Sequence, residues 1–363
     1  MIRLRQGRVV AITAARPGVV EVNVEVDGER APALVYPDLV GPVAEGDAVV
    51  LNTTAVALGL GTGGTHLVVA VEGAEGTDIA HGGRVMKARY TPLQAVVRSV
   101  EETHRDVLET SSGLEGTPVV TAPLHSMVAM VAAGAKAAGA KRVAYAMTDG
   151  SALPGAFSRL VPRLRGAGLL DGWVTCGQAF GGELEAVTLW SGLLAAKEVL
   201  AADVVVVADG PGNLGTDTKW GVSALAGGHA LNATETLGGR PVAALRVSFA
   251  DRRERHWGLS HHSLTILKEV ATCHANIAVP LLEREQREAL WDSLRAAKLE
   301  DRHQLVEVVG GPALQELESR GVEIESMGRR PADDPAFFLA AGAAGVLAGR
   351  MAVGSRAYRA PGA

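Results

Sequence analysis

The densest run of reactive side chains lies at 251–263, which reads DRRERHWGLSHHS. It holds three arginines, three histidines, an aspartate and a glutamate within thirteen residues. Three kinds of chemistry fit these residue types. His256 with His261 or His262 could hold a divalent metal, helped by Asp209 or Asp251, since imidazole and carboxylate suit zinc, iron or manganese. One of His261 and His262 could act as a general base near neutral pH. Arg252, Arg255 and His256, with Ser260 beside them, could instead clamp an anion. The spacing is not H-E-x-x-H, so no known metal motif decides among the three.

A second stretch, GPGNLGTDTK at 210–219, carries three glycines, two threonines and a lysine ahead of a helical pattern. Gly210, Gly212 and Gly215 would let backbone N–H groups approach a ligand closely, and a helix start would add partial positive charge. Asn213, Thr216, Thr218 and Lys219 add donors for a phosphate or carboxylate. The spacing matches neither a Walker A loop nor G-x-G-x-x-G, which would need a glycine where Leu214 stands. The plainer alternative is a tight strand-to-helix turn capped by Asp217 or Thr218.

These stretches follow apolar, β-branched runs. The runs are TPVVTA (117–122), RVAYAM (142–147), GWVTC (172–176), DVVVVAD (203–209), PVAALRVS (241–248), NIAVP (276–280), LVEVV (305–309) and VEIESM (322–327). Ala- and Leu-rich segments with helical periodicity separate them, such as MVAMVAAGAKAAG and LWSGLLAAKEVL. This alternation predicts parallel strands joined by crossover helices. DVVVVAD has no polar face, as expected of a central strand buried on both sides. Uneven unit lengths favour an open doubly wound sheet over a (β/α)8 barrel.

In such a sheet, ligands bind beyond the carboxyl ends of the strands. The first five runs all end in small, polar or titratable residues, while opposite ends such as GAKR and LGGR read as ordinary turns. Asp149 and Asp209 thereby join His261 and His262 as expected acid–base groups, and His125 joins the ligand-binding set. Cys176 lies in a Gly-rich loop but reads as a small buried apolar residue. His66, His81, His104 and His303 read as structural or solvated, and Trp190, Trp220 and Trp291 as packing residues.

Residues 1–72 have a different, two-residue period. RVVAITAA, GVVEVNVEVDG, APALVYP, DAVVLNT and HLVVAVE are bounded by turn residues and predict a small barrel or sandwich. LGLGTGGTHLV (58–68) reads as a Gly-rich hairpin tip. Residues 73–116 form a connection in which 83–94 runs extended into a helix with Pro92 in its first turn. The α/β domain then occupies 117–363.

Composition narrows the function classes. A net charge of −5 gives no basic footprint, and 4% aromatics are too few for base-stacking platforms, so nucleic acid is not an expected partner. Arginines break the apolar runs at the N-terminus, unlike a secretion signal. FFLAAGAAGVLAG (337–349) is short of the roughly 20 residues that span a bilayer, and its small residues suit tight helix packing. Packing within the chain is expected there, with a dimer seam and a homo-oligomer as the alternative. Cys176 and Cys273 are the only cysteines, too few for a disulfide framework. A cytoplasmic location and no membrane partner are the expectation.

GRVMKARYTPLQ, AYAMTDGSALP, GPGNLGTDTKWG and SFADRRERHWGLSHHSLT together resemble a bacterial family of uncharacterised proteins, domain of unknown function 3866. The resemblance covers nearly the whole chain and implies no activity, substrate or catalytic residue. The residues themselves point to an enzyme acting on a small phosphorylated or carboxylated metabolite. The alternatives are a non-catalytic ligand-binding or sensor protein, and a metal-dependent hydrolase built on the 256–262 histidine loop.

Overall fold

The computed structural model describes residues 1–61, 64–74 and 82–358, with side chains of the last helix described as far as residue 354. His81 and part of the 58–68 glycine stretch lie outside the described residues. Contacts divide the chain into two compact units, Met1–Arg98 and Ser99–Ala363.

In the first unit, β1 (Leu4–Arg16), β2 (Val19–Val26), β3 (Glu29–Val35), β4 (Ala48–Asn52) and β5 (His66–Val71) close into a barrel of order β1-β2-β3-β5-β4. All neighbours are antiparallel except β3 and β5. Strand alternation builds its core: Val9, Val22, Val24, Val49, Leu51 and Val68 point inward. A two-residue turn joins β2 to β3. There Asp27 and Gly28 both take positive φ, which suits the right-handed twist of a hairpin. The expected crossing at 83–94 is instead an antiparallel hairpin of β6 (Val85–Lys87) and β7 (Ala95–Val97). Pro92 sits in its turn, and the first helix after it begins at Val100.

The second unit contains β8 (Pro118–Thr121), β9 (Val143–Thr148), β10 (Gly172–Cys176), β11 (Leu184–Ala186), β12 (Val204–Asp209), β13 (Arg240–Ala244), β14 (Val247–Ser248), β15 (Gly258–Leu259), β16 (Asn276–Pro280) and β17 (Gln304–Val308). Eight of these form one open, all-parallel sheet, ordered β11-β10-β9-β12-β8-β13-β16-β17. The doubly wound architecture is therefore present, and the closed eight-stranded barrel is not. One strand differs from expectation. VEIESM alternates like a strand but joins no ladder, and the eighth strand is the short edge segment Leu184–Ala186.

Alternate residues of each central strand feed opposite faces. Val204, Val206 and Ala208 join one buried cluster, whereas Val205 and Val207 join another. The first cluster is closed by the helices Met127–Ala137 and Pro335–Tyr358. The latter contains a 20-residue apolar span, Pro335–Gly354, so it is longer than the sequence reading allowed. Most of that span is buried inside the unit against the sheet. Its glycines permit the contact: a Cβ at Gly345 would stand 2.1 Å from the Val131 carbonyl oxygen.

Strand order also locates the crevices. From β8 the chain passes beyond β12 to β9, β10 and β11. From β12 it moves the other way, to β13, β16 and β17. Connections therefore diverge between β9 and β12 and between β8 and β13, where loops leave room for a ligand.

Candidate functional site

The histidine loop is folded by a short hairpin beyond β13. β14 and β15 pair antiparallel, Val247 with Leu259 and Ser248 with Gly258. The intervening residues loop out and end in a 3-10 turn, Glu254–His256. Ser260 then caps the helix His261–Thr265, its Oγ accepting the His262 N–H at 3.3 Å. The loop thus returns His256 to the start of that helix.

His256, His261 and His262 form one cluster. Their ring centroids are 4.0 to 5.1 Å apart. Among the described residues they are the group of three or more potential metal ligands whose donor atoms all lie within 4.8 Å of one another. His256 is 1% and His262 7% exposed, and His261 is half-buried. Nδ1 of His256 is 2.9 Å from Ser260 Oγ. Nε2 of His261 and Nε2 of His262 are buried without a hydrogen-bond partner. Burial, reinforced by nearby arginines, lowers all three pKa values, to about 3 for His256 and about 4 for His262. At pH 7 the rings are therefore neutral.

Under this cluster lies an ionic network that sequence reading only half reached. Asp251 accepts from Arg253 Nε at 2.9 Å and from Arg246 Nη2 at 3.3 Å, with Arg329 Nη2 3.7 Å away. Hydrogen bonds from Arg253 hold its carboxyl well below the usual range. Arg246 is 5% exposed, and burial pushes it down to about 10. Asp334 accepts from Ser248 Oγ at 2.7 Å and faces Arg329 Nε at 3.6 Å. Asp251 is thus surrounded by guanidinium groups and stands outside the histidine cluster. The metal-ligand role expected for it does not fit this geometry. Arg246 had a signal in the sequence, as the one charge inside PVAALRVS; Arg329 and Asp334, some 80 residues on, had none.

The 210–219 loop differs from the expected phosphate cradle. It closes on itself, with Thr216 N–H donating to Gly221 O at 2.8 Å and Ser223 N–H to Leu214 O at 2.9 Å. The next helix therefore begins at Ala226, not after Lys219, and neither Asp217 nor Thr218 caps it. Thr216 and Thr218 are exposed and bond each other at 2.8 Å, while Lys219 pairs with Glu269 at 2.7 Å and lies over the exposed Trp220 ring. Still, the loop adjoins the histidines. A Cβ on Gly215 would be 3.9 Å from His262 Cε1, and Asp217 pairs with Arg255 at 2.7 Å. Gly212 takes φ +89°, while Arg252 is exposed on the neighbouring loop.

Asp209 closes β12 in a second polar group. Its carboxylate accepts from Thr148 Oγ1 at 2.7 Å, Gly150 N–H at 3.2 Å and Asn213 Nδ2 at 3.3 Å. Burial raises its pKa. Asn213 also donates to Pro123 O and Ser223 Oγ. Pro123 in turn lines a small cavity at the β8/β13 crevice with Thr121, Ala244, Gly227, Ile266 and Ser263, the last from the histidine helix. Asp149 is exposed and accepts from Gln178 N–H at 2.8 Å. His125 is committed elsewhere: Nδ1 is 3.1 Å from Tyr145 OH and Nε2 2.8 Å from Ser158 Oγ. Tyr145 donates to Asp209 O at 2.9 Å, so His125 braces the strand ends rather than facing a ligand.

Fold and site together define an open α/β protein, preceded by a β-barrel, with buried titratable groups beyond the carboxyl ends of its strands. The family model described as Protein of unknown function (DUF3866) matches residues 32–345, and the chain belongs to that family. No curated protein and no solved structure matches it.

Proposed function

We propose that the chain is an enzyme acting on a small anionic molecule, phosphorylated or carboxylated, held beside the histidine loop. One observation carries this reading. Nε2 of His261, Nε2 of His262 and Nε of Arg246 are buried on adjoining segments with no hydrogen-bond partner. Each such atom costs about 1–3 kcal/mol when left unpaired, so a cluster of them is explained by a ligand that supplies the missing partners.

The charge of that ligand follows from its surroundings. Arg246, Arg253 and Arg329 face Asp251, and Arg255 adds to the positive field at His261 and His262. An anion lowers the energy of this arrangement. His261 and His262, neutral at pH 7, offer Nε2 as an N–H donor to an anion's oxygen in one tautomer or as a free lone pair in the other. Asp209 supplies a carboxylate of raised pKa for proton transfer.

The test is turnover. Full-length protein is incubated with pooled phosphorylated and carboxylated metabolites, and substrate loss is followed by mass spectrometry. Consumption by the wild type that falls at least about 100-fold in His261→Ala, the size of loss expected for a group at the reacting centre, supports the reading. Tight binding without consumption would make the chain a sensor or carrier instead.

A further inference from the structure

We propose that His256, His261 and His262 hold one divalent transition-metal ion, zinc being the best match, through three imidazole nitrogens. The proposal rests on the reading of this loop as the centre of the anion site, and it adds the cofactor of that site.

Three features carry it. The donor atoms all lie within 4.8 Å of one another. Nitrogens bound tetrahedrally to zinc at about 2.1 Å would stand roughly 3.4 Å apart, so small ring rotations bring the set to bonding distance. Next, the Nε2 atoms of His261 and His262 are both buried and unbonded. Finally, Ser260 Oγ engages Nδ1 of His256 and leaves Nε2 as the atom that ring can offer. A ligating histidine is usually oriented by a carboxylate, carbonyl or water on its far nitrogen, and Ser260 Oγ takes that position on His256.

Three protein ligands leave a fourth position, the pattern of catalytic rather than structural zinc. The surroundings indicate what occupies it. Asp251 is committed to arginines and adds no negative ligand, while Arg246, Arg253 and Arg255 oppose a bare dication. An anionic oxygen on the fourth position offsets that repulsion. The metal and the substrate anion should therefore bind in support of each other. A cation there polarises the anion's oxygen or makes a bound water more acidic.

The experiment is a Co2+ titration of chelator-treated, untagged full-length protein, without any substrate. The expected result is one Co2+ per chain with the visible absorption of four-coordinate cobalt, displaced by Zn2+. Ser260→Ala should weaken binding about 10- to 100-fold, as loss of an outer-shell partner does. His261→Ala, at the half-exposed position, should abolish the cobalt spectrum while circular dichroism stays unchanged. Folded wild type with no saturable site at micromolar metal, or His261→Ala binding as tightly as wild type, overturns the proposal. Metal binding is read apart from turnover. A metal-free protein that consumes an anion sinks this proposal alone, and a loaded protein that consumes none sinks the enzymatic reading alone.

Discussion

Ser260 Oγ stands 2.9 Å from His256 Nδ1 and also accepts the backbone N–H of His262. One hydroxyl therefore sets two members of the histidine cluster and starts the helix that carries the third. Ser260→Ala should cost about 1 kcal/mol as a lost helix cap, read as a lower unfolding midpoint in urea. Ser260→Thr should restore most of both stability and ligand binding. Full binding by the alanine variant would remove Ser260 from the site.

Asp251 and Arg246 form a buried pair, with side chains 5% and 6% exposed. Replacing Asp251 by Ala leaves Arg246 without its main counter-charge and should destabilise the protein by about 3–5 kcal/mol. The pH dependence has a definite sign. The folded carboxyl titrates below its unfolded value of about 3.9, so its contribution is complete above that value and is lost as pH falls through the folded pKa. The stability difference between wild type and Asp251→Asn should thus shrink on acidification below about pH 4. A constant difference from pH 3 to pH 7 would contradict this assignment.

For Asp209 the sign is reversed. Burial raises its folded pKa, so the group favours folding at low pH and becomes a liability as pH rises past that value. Asp209→Asn should therefore raise Tm at pH 7, with the gain disappearing toward pH 3, while substrate turnover falls. A lower Tm at pH 7 would mean that its bonds from Thr148, Gly150 and Asn213 outweigh the burial cost.

Two glycines of the last helix make a matched pair. Gly345→Ala would place a Cβ 2.1 Å from Val131 O and should cost about 1–3 kcal/mol or more through overpacking. Gly354→Ala meets nothing within 4 Å and should be neutral or stabilising by up to about 1 kcal/mol. Equal thermal midpoints for the two variants would refute the close packing of this helix on Met127–Ala137.

Much of this architecture was readable in the residues. The barrel strands announce themselves by two-residue alternation, and DVVVVAD by having no polar face, because both patterns report burial directly. Several readings went astray for identifiable reasons. Leu184–Ala186 is an edge strand too short to show a period. VEIESM has a strand's alternation without a partner to pair with. Lys219 lies within a loop that hydrogen-bonds to itself, and local spacing cannot foresee that closure. The histidine cluster was visible as a dense run of titratable residues. Its footing on Arg329 and Asp334 was not, since the fold, not chain proximity, brings those distant residues to Asp251 and Ser248.

The central claim is that His256, His261 and His262 act as a single centre. X-ray absorption at the metal edge of zinc-loaded, untagged full-length protein tests it most directly. The expected spectrum has three imidazole nitrogens at about 2.0–2.1 Å and one further light atom, with the imidazole count reduced in His256→Ala. A sulfur shell near 2.3 Å, which would point to Cys176 or Cys273, or an all-oxygen shell without imidazole scattering, would contradict it.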